Sequence, residues 1–247
     1  MVAKMSKLCL SLCLLMVCTT ALLHGEDENL PEWYVPLRDA VYSQNLSSRE
    51  IINIYFSTRE RAQKELYGVA LAVMLSRCEY MMGRSLIYEE NKKEARTCFE
   101  RGLEYAQESL DLSPTPEGWQ MLSENISYLC TVRSTAWVMA NGLKVERYAR
   151  SALELDSGNT AAHYLIAARW VYAPAAFRNI KKGIQMMHDI LDNYDNRLHK
   201  DDRFNVISSI GYALWQQKNN NDARTWFDKA LEVYPDNKYV KGLIAGL

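Results

Sequence analysis

The chain has 247 residues, 29 basic and 30 acidic side chains, a formal net charge of −1 and 48% hydrophobic residues. That balance excludes the basic footprint of a nucleic-acid binder, and with only 11 glycines and 6 prolines no long flexible linker is evident. The length suits one or two domains, and one continuous body is the simpler expectation.

At the N-terminus Lys4 and Lys7 precede Leu8–Leu23, sixteen residues without a charge, which end at His24-Gly25 and the acidic Glu26-Asp27-Glu28. Sixteen falls short of the roughly 20 apolar residues a spanning helix needs. The pattern therefore predicts a secretory signal peptide over residues 1–25, cleaved after Gly25; cleavage after Ala21 and an uncleaved anchor are the alternatives. Export would place the mature chain in the periplasm or outside the cell, with no stable membrane span. Cys18 follows Leu15-Met16-Val17, a loose likeness to a bacterial lipobox, so a lipid anchor is a further alternative. Without residues 1–25 the chain keeps Cys78, Cys98 and Cys130, an odd number that cannot all pair internally. Their apolar helical surroundings predict core thiols.

Residues 26–75 read as an N-terminal helical cap. Ser47 and Glu50 fit a capping box, and Ile51, Ile52, Ile54 and Tyr55 follow as an apolar stripe. Beyond it two segments match at fixed offsets. Gly83, Ala95, Phe99 and Gly102 repeat the spacing of Gly211, Ala223, Phe227 and Ala230, at 12, 16 and 19 residues from the glycine. Small residues let two antiparallel helices cross closely, and the bulky ring fills the space beside them. Pro235 stops the last helix, since proline cannot donate the next hydrogen bond.

Ile210-Gly211, Leu214, Ala223, Phe227, Ala230 and Pro235 resemble the tetratricopeptide repeat, a unit of about 34 residues in two helices. The resemblance spans residues 76–237 in four units, 76–109, 126–159, 160–195 and 204–237. In the second, Arg133 stands where the glycine belongs. In the third, Gly183 and Met187 replace the second helix's alanine and aromatic after an insertion around Ala173–Phe177. Residues 238–247 form a C-terminal capping helix with Val240, Leu243 and Ile244 on one face. The resemblance implies an all-α fold, an α-solenoid of antiparallel helix pairs with helical caps. The architecture is also similar to exported spirochaetal repeat lipoproteins associated with TRAP-type transporters.

Catalytic and metal signatures are missing from the sequence. His163, His188 and His199 show no metal-ligand spacing, and no C-x-x-C lies beyond residue 25. No phosphate-cradling glycine motif occurs. His163 is expected in the core, and Asp201-Asp202 are expected to serve a helix N-terminus. No catalytic residue, metal or cofactor is expected, and the chain is read as a non-enzyme.

In the repeat family the first helix of each unit lines a concave groove. Carried over by the resemblance, partner-binding positions fall on Tyr80, Arg84 and Tyr88, on Trp137, on Tyr164 and Tyr172, and on Tyr212 and Trp215. Tyrosine and tryptophan combine apolar area with one polar handle, which suits binding. The sequence thus predicts a scaffold that takes a protein or peptide in an aromatic-rich groove. The alternative is a carrier, or a transporter component, holding a small apolar ligand.

Overall fold

The computed structural model describes residues 30–247. The predicted signal peptide, its cleavage site and Cys18 lie outside the described residues. Those described form twelve α-helices and two short 3-10 turns, without strands. No described helix is long and apolar enough to cross a membrane.

Helix α1 (Val35–Ser43) is followed by α2 (Ser48–Glu65), whose start shows the predicted reciprocal box between Ser47 and Glu50. Four hairpins then stack in chain order: α3 (Gly68–Tyr88) with α4 (Lys92–Leu112), and α5 (Pro116–Val132) with α7 (Leu143–Leu155), the short α6 (Thr135–Asn141) lying between them. α8 (Thr160–Tyr172) pairs with α9 (Ile180–Tyr194), α10 (Lys200–Gln216) with α11 (Asn220–Val233), and α12 (Lys238–Ala245) ends the stack. Asn91, Thr115, Asn159, Asn179, Asn219 and Asn237 each accept the backbone N–H three residues on. Such a cap is worth about 1 kcal/mol.

The repeat spacing has the predicted cause. A Cβ on Gly83 would lie 2.5 Å from Cε1 of Phe99, and one on Gly211 2.7 Å from Cδ1 of Phe227. Both rings are fully buried. Gly183 does the same work in the third hairpin, where a Cβ would meet Val171 at 2.7 Å, with Met187 buried beside it.

The second unit is corrected. Its first helix is α5, so residue 126 lies inside a helix and does not begin one. The glycine's place is taken by Ser123, not Arg133. Its hydroxyl donates to the Val145 carbonyl at 2.8 Å, and so the two backbones still approach closely. Val145, Ala149 and Ala152 are all buried, at the positions of Ala95, Phe99 and Gly102. The serine stands 22 residues before Val145 because ten residues, 133–142, are inserted to carry α6. The first hairpin also starts early, with α3 beginning at Gly68 inside the expected cap.

The N-terminal cap divides. α2 packs on the first hairpin, whereas α1 touches α2 and both the first and the last inner helix, α3 and α10. Tyr42 stacks on Tyr234 at 5.2 Å and meets Phe204 edge-on at 5.6 Å. Asn237 donates to the Tyr42 carbonyl at 2.6 Å, while the Gln44 side chain accepts from the backbone of Lys238 and Tyr239. Asp39 takes Lys200 at 3.2 Å and the Tyr234 hydroxyl at 2.9 Å. Tyr34, Leu37, Val41 and Tyr42 are buried. The curved array is therefore closed by its own first helix.

Candidate functional site

The inner helices α3, α5, α8 and α10 turn polar side chains and rings toward the closed side. Arg84, on α3, lies deepest, with 3% of its surface exposed. Its guanidinium stands 4.1 Å from the ring centroid of Tyr42, 5.1 Å from that of Tyr128 and 5.6 Å from that of Tyr80. It donates to the hydroxyls of Tyr42, Tyr80 (3.1 Å) and Tyr88 (3.1 Å). Burial works against its charge, but the surrounding phenols hold it protonated. Its Nε has no partner. Burial also raises the phenols of Tyr42, Tyr80 and Tyr128 above their ordinary range, which keeps their protons in place.

Toward the C-terminal ends of the inner helices the rings come to the surface. The hydroxyls of Tyr164 and Tyr172 both meet Ser209 Oγ, at 3.1 and 2.9 Å. Tyr172 stacks on Tyr212 at 5.2 Å, and Tyr212 packs on Trp215 at 5.6 Å. Tyr172, Tyr239 and Trp215 are 48, 45 and 36% exposed. The result is an aromatic rim above the Arg84 cage.

At the opposite end stands a second polar cluster. Gln120 donates to Glu124 at 2.8 Å, and the Thr160 hydroxyl donates to Asp202 at 3.1 Å. Burial raises both carboxyls above the ordinary carboxylate range, Asp202 strongly so. Arg77 reaches both electrostatically. Asp202 thus links α8 to α10 besides lying in the first turn of α10; the N-cap itself is His199.

The predicted groove residues do not all share this site. Tyr88, Tyr164, Tyr172, Tyr212 and Trp215 meet at or near the rim. Tyr80 and Arg84 are buried under α1, below the exposed rings of the rim. Trp137 sits apart on α6, beneath the Arg133 guanidinium at 5.5 Å, because α5 is the inner helix of that unit. The ring this unit brings to the site is Tyr128, five residues after Ser123 just as Tyr88 lies five after Gly83, whereas the place expected of Trp137, four after the glycine's position, falls on Ser127. Tyr42 and Tyr239 were also missed, since neither lies on a repeat's first helix. His163 is half-buried rather than core: its Nε2 lies 2.9 Å from the Ser157 carbonyl and its ring stacks on Tyr194.

Burial pushes Cys78 and Cys98 up to about 12 and Cys130 up to about 11, so none is a thiolate nucleophile at neutral pH. Cys78 and Cys98 are buried, Cys130 half-buried, and all three are free. Among the described residues no group of three histidine, cysteine or acidic side chains could hold a metal ion.

A family model described as "Regulator of microtubule dynamics protein 1-3" matches residues 38–188. One described as "Tetratricopeptide repeat" matches residues 206–237. No curated protein matches. Among solved structures, the chain is similar to one titled "Crystal structure of YrrB: a TPR protein with an unusual peptide-binding site", at 15% identity and a TM-score of 0.39, over 85% of this chain and 98% of that one. None of these matches touches the likeness to spirochaetal lipoproteins.

Proposed function

From the premise that this chain belongs to the family of regulators of microtubule dynamics proteins 1-3, we propose that it is a non-catalytic adaptor that binds a protein of the microtubule system at its aromatic rim. The supporting observation is the exposure of Tyr172, Trp215 and Tyr239 beside half-buried Tyr212 on a helical array whose first and last inner helices are bridged by α1. A rigid cluster of large amphipathic rings is what a protein interface uses as anchors, each worth on the order of 2 kcal/mol when seated in a partner's pocket. The partner accordingly docks on the end of the array and does not thread along an open groove. Replacing Tyr212 and Trp215 together by alanine should release the chain from polymerised tubulin in a sedimentation assay while its helical circular dichroism stays intact. Equal sedimentation of the double variant and the parent would defeat this reading.

A second reading, a carrier of a small ligand, is favoured by the closure itself, because α1 shields the Arg84 cage from bulk water. Native mass spectrometry of the purified chain tests it: a mass excess lost on mild denaturation supports a carrier. We further propose that the uncharged run before residue 26 directs the chain into a secretory or membrane system, in the periplasm or outside the cell as the sequence suggests. N-terminal sequencing of protein isolated from its own cells decides between a chain beginning at Glu26 and a retained anchor.

A further inference from the structure

The cage around Arg84 is left with more donors than acceptors. Tyr42 accepts from Arg84 and again from Asn205 Nδ2 at 2.8 Å. Tyr80 and Tyr88 accept from the same guanidinium. All three phenols therefore spend oxygen lone pairs on Arg84, and among the described residues their own O–H groups have no acceptor. The Nε–H is unpartnered as well. No carboxylate pairs with the guanidinium; Glu124 feels its charge from beyond ion-pair reach. Elsewhere the fold treats its arginines differently. Arg59 and Arg101 share the fully buried Glu79, Arg133 takes Glu100 and Arg169 takes Glu146. An arginine that merely stapled α3 to α1 would call for acceptors, not for further donors around it.

The edge of the guanidinium left short of partners is the pair Nε and Nη2, buried beside Tyr88. Nε is free, and Nη2 is held only by Tyr88, which is half-buried at the base of the rim. A carboxylate matches that edge with two parallel N–H···O bonds, and a swing of the Tyr88 hydroxyl would turn it from acceptor into donor.

We propose that Arg84, with the hydroxyls of Tyr42, Tyr80 and Tyr88, forms an oxyanion site that takes the carboxylate of a ligand whose apolar body rests on the aromatic rim. The carboxylate supplies the missing acceptors and neutralises the one buried cation of the cage. Its carrier is either a small organic acid or the free C-terminus of a peptide; the peptide arm alone rests on the adaptor reading above.

Calorimetry on the full chain tests the proposal with two acid–amide pairs: 4-phenylbutyrate against 4-phenylbutyramide, and an acetylated tetrapeptide ending in Leu-Phe against its C-terminal amide. In at least one pair the acid should bind about tenfold more tightly than the amide, as a bidentate charged contact requires. Arg84→Met should erase that preference, and Arg84→Lys, which keeps charge but not the fork, should retain only part of it. Acid and amide binding alike, acid preference surviving in Arg84→Met, or neither acid binding below about 10 mM, the range of the weakest specific ligands, overturns the proposal. Comparing acid with amide on the parent protein decides the matter even should Arg84→Met fail to fold. Arg84-dependent binding of phenylbutyrate with a silent peptide leaves the site standing and counts against the adaptor reading alone.

Discussion

Gly83 and Gly242 both lie inside helices, and the same substitution should move stability in opposite directions. Alanine gains about 1 kcal/mol over glycine in a helix interior. At Gly242 a Cβ meets nothing within 4 Å, so the gain stands alone. At Gly83 it would lie 2.5, 2.7 and 2.9 Å from three carbons of the Phe99 ring. That ring is fully buried and packs between Tyr80 and Tyr128, at 6.3 and 5.2 Å, so it cannot retreat without moving both. Overpacking costs about 1–3 kcal/mol, and the triple contact puts Gly83 at the upper end. After the propensity gain, Gly83→Ala should destabilise by about 1–2 kcal/mol, a fall in Tm of about 2–8 °C for a chain of this size. Gly242→Ala should raise Tm by about 2–4 °C on the same scale. Thermal unfolding followed by circular dichroism at 222 nm, a wavelength where helix dominates, reads both. A Gly83→Ala protein as stable as the parent would refute the tight-crossing argument.

Three further outcomes follow from described contacts. Tyr42→Phe removes the hydroxyl that accepts from Arg84 and Asn205; leaving these donors buried should cost about 1–3 kcal/mol, and limited proteolysis should cut near α1 sooner. Asp202 and Glu124 have carboxyls raised by burial, so the folded chain binds more protons than the unfolded one between their two pKa values. Their contribution to stability is complete below the unfolded values and falls as pH rises toward the folded ones. Asp202→Asn should therefore flatten the decline of Tm between acidic and neutral pH; a steeper decline would reverse the sign worked out here. Cys78, Cys98 and Cys130, with thiols pushed up to about 12, 12 and 11, should react with a disulfide reagent at neutral pH only as the protein unfolds.

The hairpins at the two ends of the repeat array were legible because glycine and phenylalanine at fixed spacing state a packing constraint directly. The second was not, for two physical reasons. Ser123 achieves by hydrogen bonding the close approach that glycine achieves by size, and ten inserted residues broke the spacing. With that unit misplaced, the expected groove ring fell on Trp137, and Tyr128, five residues after Ser123, went unread. The aromatic positions Tyr172, Tyr212 and Trp215 followed from the repeat resemblance, which implies the helix face a residue occupies. The resemblance does not say what else arrives at that face. Arg84 reads as a groove residue, and its burial depends on Tyr42, which sits 42 residues earlier on a helix outside the repeats.

In a linear stack each unit leans only on its neighbours, so an end can be trimmed and the remainder stands. Here Tyr42 and Gln44 hold Asn237, Lys238 and Tyr239, nearly two hundred positions away along the chain. During synthesis α1 leaves the ribosome early and meets α2 and α3 first, yet its seat is incomplete until the final hairpin emerges, and contacts so distant in sequence form late. Cutting away residues 204–247 should thus unseat the first helix as well as remove the last repeat.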